Sequence, residues 1–178
     1  IRGYAGSLYE LCKFVEKNSI SIYNPKIVIS AAETLREEIR EKVEYVFGTK
    51  VYNFYGSREV GPMGGECKNG VIHLFMFNNY LELLDGHNHL VREGEMGRII
   101  VTPLHNYSMP LIRYEIGDTA ILGPKKCKCG NPLPTLNKIT GRITDHFIKE
   151  DGTIVHGEYF THLFYLKNWV KAFQVIQE

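Results

Sequence analysis

The sequence predicts an α/β fold: a βαβ unit of a doubly wound sheet, then an antiparallel sheet or partly closed barrel, then the start of a small α+β C-terminal domain. Three observations lead there. Two early segments repeat apolar residues at helical spacing and enclose a short β-branched run. From Val71 onward the apolar period drops to two, and turn residues punctuate the later runs.

The first helix is signalled by Ser7 and Glu10, spaced as a capping box, with Leu8, Leu11, Cys12 and Val15 on one face. Pro25 then precedes Lys26-Ile27-Val28-Ile29-Ser30, whose composition suits a strand buried on both faces. A second helix follows. Thr34 and Glu37 repeat the capping box, Leu35, Ile39, Val43, Val46 and Phe47 form the apolar stripe, and Gly48 is the stop. Lys50 to Tyr55 returns to strand. Strand, crossover helix and strand make a βαβ unit, whose ligand edge lies past the C-terminal ends of its strands, beyond Ser30 and Tyr55.

Further strands are expected at 71–77, 80–85, 97–103 and 110–116, with Asn78-Asn79 and Asp85-Gly86 as turns. After Gly141 the pattern predicts a hairpin turning at Asp151-Gly152, a helix near 157–166 and a strand at 172–176. Tyr159, Phe160, Phe164, Tyr165 and Trp169 read as the core of that last unit. The domains accordingly divide as 1–141, the C-terminal half of a large domain, and 142–178, a hinge and the beginning of a small mobile one.

Composition narrows the function classes. The 178 residues carry 21 basic and 20 acidic side chains, and a net charge of +1 supplies no long-range field toward a nucleic-acid backbone. No apolar run approaches the ~20 residues that span a bilayer, so no membrane partner is expected. Ile1-Arg2-Gly3-Tyr4 is neither a signal peptide nor an initiating methionine, and the chain is expected to begin inside a longer protein. Four cysteines in a chain able to build its own core suit a reducing, cytoplasmic compartment. His87-Asn88-His89 reads as a solvated turn. Neither a Gly-x-Ser-x-Gly elbow nor a Walker-type phosphate loop is present.

Three segments could carry chemistry. In Val51-Tyr52-Asn53-Phe54-Tyr55-Gly56-Ser57-Arg58-Glu59, a strand ends in Tyr-Gly, so the backbone can turn sharply beside an aromatic ring on which a purine could stack. Glu59 offers a hard oxygen ligand to magnesium. In Pro110 to Thr119, Asp118 follows a glycine and could accept both hydroxyls of a ribose. In Ile139 to Asp145, Arg142 follows Gly141 and could bridge ribose and phosphate with its planar fork. By spacing alone each is also compatible with an ordinary turn or surface ion pair.

Taken in order, these segments resemble the adenylate-forming superfamily of acyl-CoA synthetases, and within it the phenylacetate-CoA ligase and capsule-biosynthesis (CapK-like) branch. Tyr55 to Glu59 is similar to that family's Tyr-Gly-x-Thr-Glu loop, Tyr114 to Asp118 to its Tyr-Arg-x-Gly-Asp segment, and Gly141 to Asp145 to its Gly-Arg-x-Asp-Asp hinge. Ser30-Ala31-Ala32-Glu33 matches the loop lining the adenine pocket. The resemblance spans Lys26 to Asp151. It implies a nucleotide site of Ala31, Ala32, Glu33, Asn53, Phe54, Tyr55, Gly56, Ser57, Asp118 and Arg142, with Tyr55 stacking on adenine, Asn53 near its amino group and Asp118 on the ribose. It implies catalytic roles for Glu59, through magnesium, and for Arg58. Arg58 stands where the family has threonine, Glu115 where it has arginine and Thr144 where it has the hinge aspartate. The first departure would bring a positive charge to the α-phosphate.

The cysteines form a separate constellation. Cys67 and His73 flank the turn Lys68-Asn69-Gly70, while Cys127 and Cys129 flank one lysine, and the two pairs could converge on a structural zinc or remain unrelated thiols. A similar Cys-Cys pair in the branch it resembles favours zinc. Cys12, on an apolar helix face, reads as core.

The expected function is that of a fragment of an ATP-dependent, AMP-forming ligase. It would activate a small-molecule carboxylate as acyl-adenylate for transfer to CoA, using ATP/AMP and Mg2+. The alternatives are an adenylyl or acyl transferase of capsule or cofactor biosynthesis without CoA, and a non-catalytic nucleotide-binding module. A homodimer is compatible with the sequence. The upstream phosphate loop and the terminal lysine such enzymes need are not among these residues, so the 178 residues alone are expected to be inactive.

Overall fold

A computed structural model describes residues 1–143, 146–164, 167 and 169–177. The chain opens with β1 (Arg2–Tyr4), α1 (Ala5–Lys17), β2 (Val28–Ala31), α2 (Glu37–Phe47) and β3 (Val51–Ser57). β1, β2 and β3 pair in parallel, Arg2 with Ile29 and Val28 with Val51. The predicted βαβ unit is therefore present, preceded by a second one. β1 has three residues, too few for any apolar period to register.

Both helices lie on one face of this parallel section. Ala5, Leu8 and Cys12 of α1 pack with Ile39, Val43 and Phe47 of α2 over Val28 and Val51, which face each other on the two strands. Gly48 ends α2 in the left-handed region, with φ 61°, as a glycine stop should. The capping boxes do not form. α1 starts at Ala5 behind Tyr4, leaving Ser7 inside the helix, and α2 starts at Glu37 behind Arg36, leaving Thr34 in the loop; neither N-cap side chain bonds the first turn. In α1 the orphan Gly6 N–H is instead taken by the Glu33 carboxylate at 2.7 Å, a partner 27 residues away. Leu11, expected on the buried stripe, is 41% exposed because Ala5 begins the face one turn earlier.

The parallel section continues without a break into an antiparallel one. β4 (Gly61–Glu66), β5 (Ile72–Leu74), β6 (Asn79–Leu84), β7 (Met96–Pro103), β8 (Tyr114–Leu122) and β9 (Thr135–Arg142) complete a nine-stranded mixed sheet in the order β1-β2-β3-β4-β5-β9-β8-β7-β6. Its core holds Met63, Leu74, Ile99, Val101, Ala120 and Leu136. Each large buried side chain contributes about 1.5–3 kcal/mol by leaving water. The expected strand at 110–116 begins only at Tyr114 and runs to Leu122. Pro110 has no N–H to donate, and Arg113 is left-handed at φ 51°, so the chain cannot join the ladder before them.

The hairpin at Asp151-Gly152 forms as expected, between β10 (His146–Ile148) and β11 (Ile154–His156), followed by α3 (Gly157–Phe164). Two expectations there fail. Residues 172–176 form no strand; mostly exposed, they find no ladder to join. The aromatic cluster is partial: Phe160 packs edge-on to Phe147 and Phe164 meets Phe173, but Trp169 is 76% exposed and Tyr159 also faces solvent. Among the described residues, the hairpin and one short helix leave Tyr159 and Trp169 uncovered. Thr144, Asp145 and Tyr165 lie outside the described residues.

Candidate functional site

The C-terminal ends of β2 and β3, the β3–β4 turn and the facing edges of β8 and β9 enclose a cleft of about 790 Å³. Ala32, Glu33, Asn53, Phe54, Tyr55, Gly56, Ser57, Arg58, Glu59, Asp118 and Arg142 all line it. Three segments separated by dozens of residues thus meet at one sheet edge, where a parallel βαβ unit presents its ligand side. Ala31 lies 7% exposed behind them and borders a neighbouring cleft.

Asp118 stands in the middle of β8, not at a strand end, and is paired across the ladder with Arg142 on β9. Arg142 Nε is 3.3 Å from Asp118 Oδ1, while the Tyr55 hydroxyl donates to Oδ2 at 2.8 Å. The two strand neighbours and one side chain from β3 fix the carboxylate in place. Gly117 at φ 83° turns the backbone just before it, a conformation L side chains rarely adopt. A carboxylate offers about four acceptor positions, so one group can serve both the walls of the cleft and a diol within it. Burial, and next the Asp118 charge, hold the Tyr55 phenol well above its ordinary range, so it remains a donor.

Tyr55 lines the cleft from inside the fold. Its ring is only 8% exposed and belongs to the core cluster with Met63 and Ile116. The ring is a wall of the cleft, and its hydroxyl is a brace for Asp118. Gly56 is there for lack of space: a Cβ would meet the Gly61 carbonyl oxygen at 2.7 Å. The Ser57 hydroxyl accepts from the Val60 N–H at 3.3 Å, closing the turn that carries Arg58 and Glu59. Hydrogen bonds from its own backbone N–H and from Ser57 hold the exposed Glu59 below the usual carboxylate range, so it is a ready anionic ligand.

Sequence reasoning missed a second layer. Arg40 of α2 donates to both oxygens of Glu66 at 2.9 and 3.0 Å, and to the Val51 carbonyl at 2.7 Å. Glu66 also accepts the Asn53 N–H at 2.6 Å. The Glu66 side chain is 7% exposed, so this is a buried charge satisfied on all sides. It fixes the backbone from which Asn53 projects. Lys138 on β9 also lines the cleft. An i, i+26 pair across helix and strand has no sequence signature.

The second predicted constellation also assembles. Ligand atoms of Cys67, His73, Cys127 and Cys129 all lie within 4.8 Å of one another. Cys67 Sγ is 3.7 Å from Cys127 Sγ, against about 3.8 Å for two thiolates on one tetrahedral ion at ~2.3 Å. Cys129 Sγ lies 3.2 Å from His73 Nε2, and His73 Nδ1 lies 3.2 Å from the Leu133 carbonyl. A carbonyl can only accept, so Nδ1 carries the proton and Nε2 presents its lone pair to the thiols. The Cys129 backbone N–H, opposed by desolvation and aided by the neighbouring side chains of Cys129, His73 and Asn69, brings Cys127 down to about 6. Cys129 has the Asn131 N–H in favour of its thiolate, yet desolvation and the neighbouring thiols raise it. All four cysteines are free of disulfides, and Cys12 is buried as core. The described residues place this donor set as a transition-metal site would need it.

No protein-family model matches the chain. The Staphylococcus aureus protein CapK is 26% identical over 98% of this chain and 38% of its own length. The phenylacetate-coenzyme A ligase of Thermus thermophilus is 32% identical over 67% of this chain and 28% of its own length. The chain thus spans about a third of these relatives. Among solved structures, an open conformation of 2-hydroxyisobutyryl-CoA ligase with 2-HIB-AMP and CoA superposes with a TM-score of 0.78 at 22% identity, over 94% of this chain and 41% of that one. An anthranilate CoA ligase in complex with anthranoyl-AMP gives 0.63 at 14%, over 87% and 31%. These structural matches share the fold. Sequence relatives, shared fold and the ordered motifs agree, and the chain belongs to the adenylate-forming superfamily, in the branch of phenylacetate-CoA ligase and CapK.

Proposed function

We propose that the full-length protein containing these residues is an ATP-dependent, AMP-forming acid-CoA ligase, and that this chain supplies its nucleotide-holding wall. The observation that carries the reading is the convergence of Tyr55, Asp118 and Arg142 on one cleft with the Gly56 turn and Glu59. Asp118, braced by Tyr55, accepts the ribose hydroxyls. Ala32, Asn53 and Tyr55 bound the base. Arg142 spans ribose and phosphate, and Arg58 neutralises charge growing on the α-phosphate. A substrate carboxylate oxygen bonds to the α-phosphorus as the α–β anhydride breaks and pyrophosphate leaves; the CoA thiol then attacks the acyl carbon and AMP departs. Glu59, an exposed carboxylate kept ionised by its hydrogen bonds, fits the hard oxygen ligand that magnesium prefers. That ion would screen the phosphate charges. The same reading makes Gly141 and Arg142 the border between a large domain and a small one beginning at 142.

Zinc is the metal we assign to Cys67, His73, Cys127 and Cys129, on the geometry of the donor set. It would serve structure by pinning the loop between β8 and β9 to the β4–β5 turn.

Pyrophosphate release from ATP by the full-length protein, dependent on an added carboxylic acid, is the deciding assay. Nucleotide binding without release for any acid would leave a non-catalytic binding module. Hydroxylamine trapping of an acyl group without any CoA-dependent thioester would point to an acceptor other than CoA.

A further inference from the structure

The joint at Gly56, Ser57 and Arg58 divides two clefts. The nucleotide cleft, taken over its lining residues, balances five cations with five carboxylates. The neighbouring cleft, about 550 Å³, is built differently. Gly3, Ala31, Gly56, Gly61 and Pro62 give it small apolar walls, and its charges are two arginines, Arg2 and Arg58, with no carboxylate among its described lining residues.

Neither guanidinium is tied by an ion pair or side-chain hydrogen bond among the described residues. Arg2 is seated instead on an aromatic ring, its Cζ 4.6 Å from the Phe54 centroid. That seat orients the planar fork and leaves its N–H donors open. Phe54 is backed by Phe75, with centroids 6.1 Å apart. Arg58 also borders the nucleotide cleft, where the α-phosphate and the reacting carboxylate of the reaction proposed above meet, so that reaction already occupies it. The carboxylate being activated belongs at the joint, beside Arg58 and the α-phosphate. Arg2, on strand β1 at the other side of Phe54, is left for something else.

We propose that Arg2 is a specificity-determining residue and that the acid activated here carries a second anionic group, which Arg2 receives. The inference rests on the adenylating reading only for which carboxylate reacts; the charge of the cleft stands apart from it. The small walls favour a compact diacid over a long acyl chain. A guanidinium over a ring pairs with a carboxylate through two parallel N–H donors, a geometry that lysine does not reproduce.

The test uses the full-length protein saturated with AMP and two matched pairs of probes, succinate against butyrate and terephthalate against benzoate, with binding measured by calorimetry. The diacid of each pair should bind about tenfold or more tightly, as a charge-assisted hydrogen bond allows. Arg2→Met, which keeps a long stem on Phe54, should abolish the difference within each pair, and Arg2→Lys should restore part of it. AMP affinity is the control for folding. Equal affinities within each pair for the wild-type protein, or an unchanged ratio in Arg2→Met, would overturn the proposal. Pyrophosphate release is read alongside. Diacid binding without release removes the adenylating reading and keeps this one; release with the monoacids, without diacid preference, does the reverse.

Discussion

The carboxylate site and the cysteine cluster lie against opposite ends of one strand, β9, where Arg142 pairs with Asp118 and Thr135 with His73, yet they are held by different means. Asp118, Tyr55 and Arg142 come from three paired strands, and their contacts are closed among themselves: donor to carboxylate, cation to carboxylate, with the ladder register beneath. Cys67, Cys127 and Cys129 come from turns, and only His73, 2% exposed on β5, is set by the sheet. Four electron-rich atoms within 4.8 Å of one another do not hold each other together. The first site is self-supporting, and ligand binding reads it. With the zinc proposed above, the second depends on a cation, and stability reads it.

The contrast can be broken at several points. Removing the metal should have the largest effect. Treating the full-length protein with a strong chelator, or replacing Cys127 by Ser, should lower Tm by about 10 °C or more in calorimetry, with loss of close to one zinc per chain in elemental analysis. A metal-free protein with an unchanged Tm would erase the distinction between the two sites. Next comes the shared strand. Leu136→Ala empties a fully buried position on β9 and should cost about 2–5 kcal/mol in denaturant unfolding, weakening both sites together.

Smaller effects separate the sites. Asp118→Ala should weaken AMP binding by about 1.5–3 kcal/mol, measured by calorimetry, while zinc content stays constant. Tyr55→Phe removes only the brace and should cost about 0.5–1.5 kcal/mol of stability, read from unfolding curves. Arg142→Ala should change stability by less than about 1 kcal/mol, because its side chain is 57% exposed; its loss should show in nucleotide affinity instead.

What the sequence revealed follows the range of the interactions involved. The α2 stripe, the Gly48 stop and the Asp151-Gly152 turn are local, and all three stand in the fold. The Cys and His ligands could be matched because each pair is close in sequence, and only the meeting of the pairs is tertiary. β4 was hidden by its composition: Gly61-Pro62-Met63-Gly64-Gly65-Glu66 reads as a turn, and it is a strand only because β3 and β5 pair with it on both sides. Gly64 has no choice there, since a Cβ would meet the His73 carbonyl oxygen at 2.9 Å. The Ser7 and Thr34 capping signals failed for the opposite reason. A local pattern was present, but long-range partners, Glu33 at the Gly6 N–H among them, set the helix starts.

Strand β9 also has a history as well as a position. It enters the sheet between β5 and β8, pairing Thr135 with His73 and Lys138 with Ile121. β6, β7 and β8 can pair with one another as a local meander, and β1 to β5 can do so on their own side, but nothing joins the two halves until β9 arrives. Contacts of such sequence separation form late, since loop-closure entropy must be met before they contribute. Until then β5 and β8 each present an open edge, the kind of template on which chains pair with the wrong partner. Residues 135–142 therefore act as a keystone in time: their arrival converts two sticky half-sheets into one continuous sheet, and in the same step brings Arg142 to Asp118.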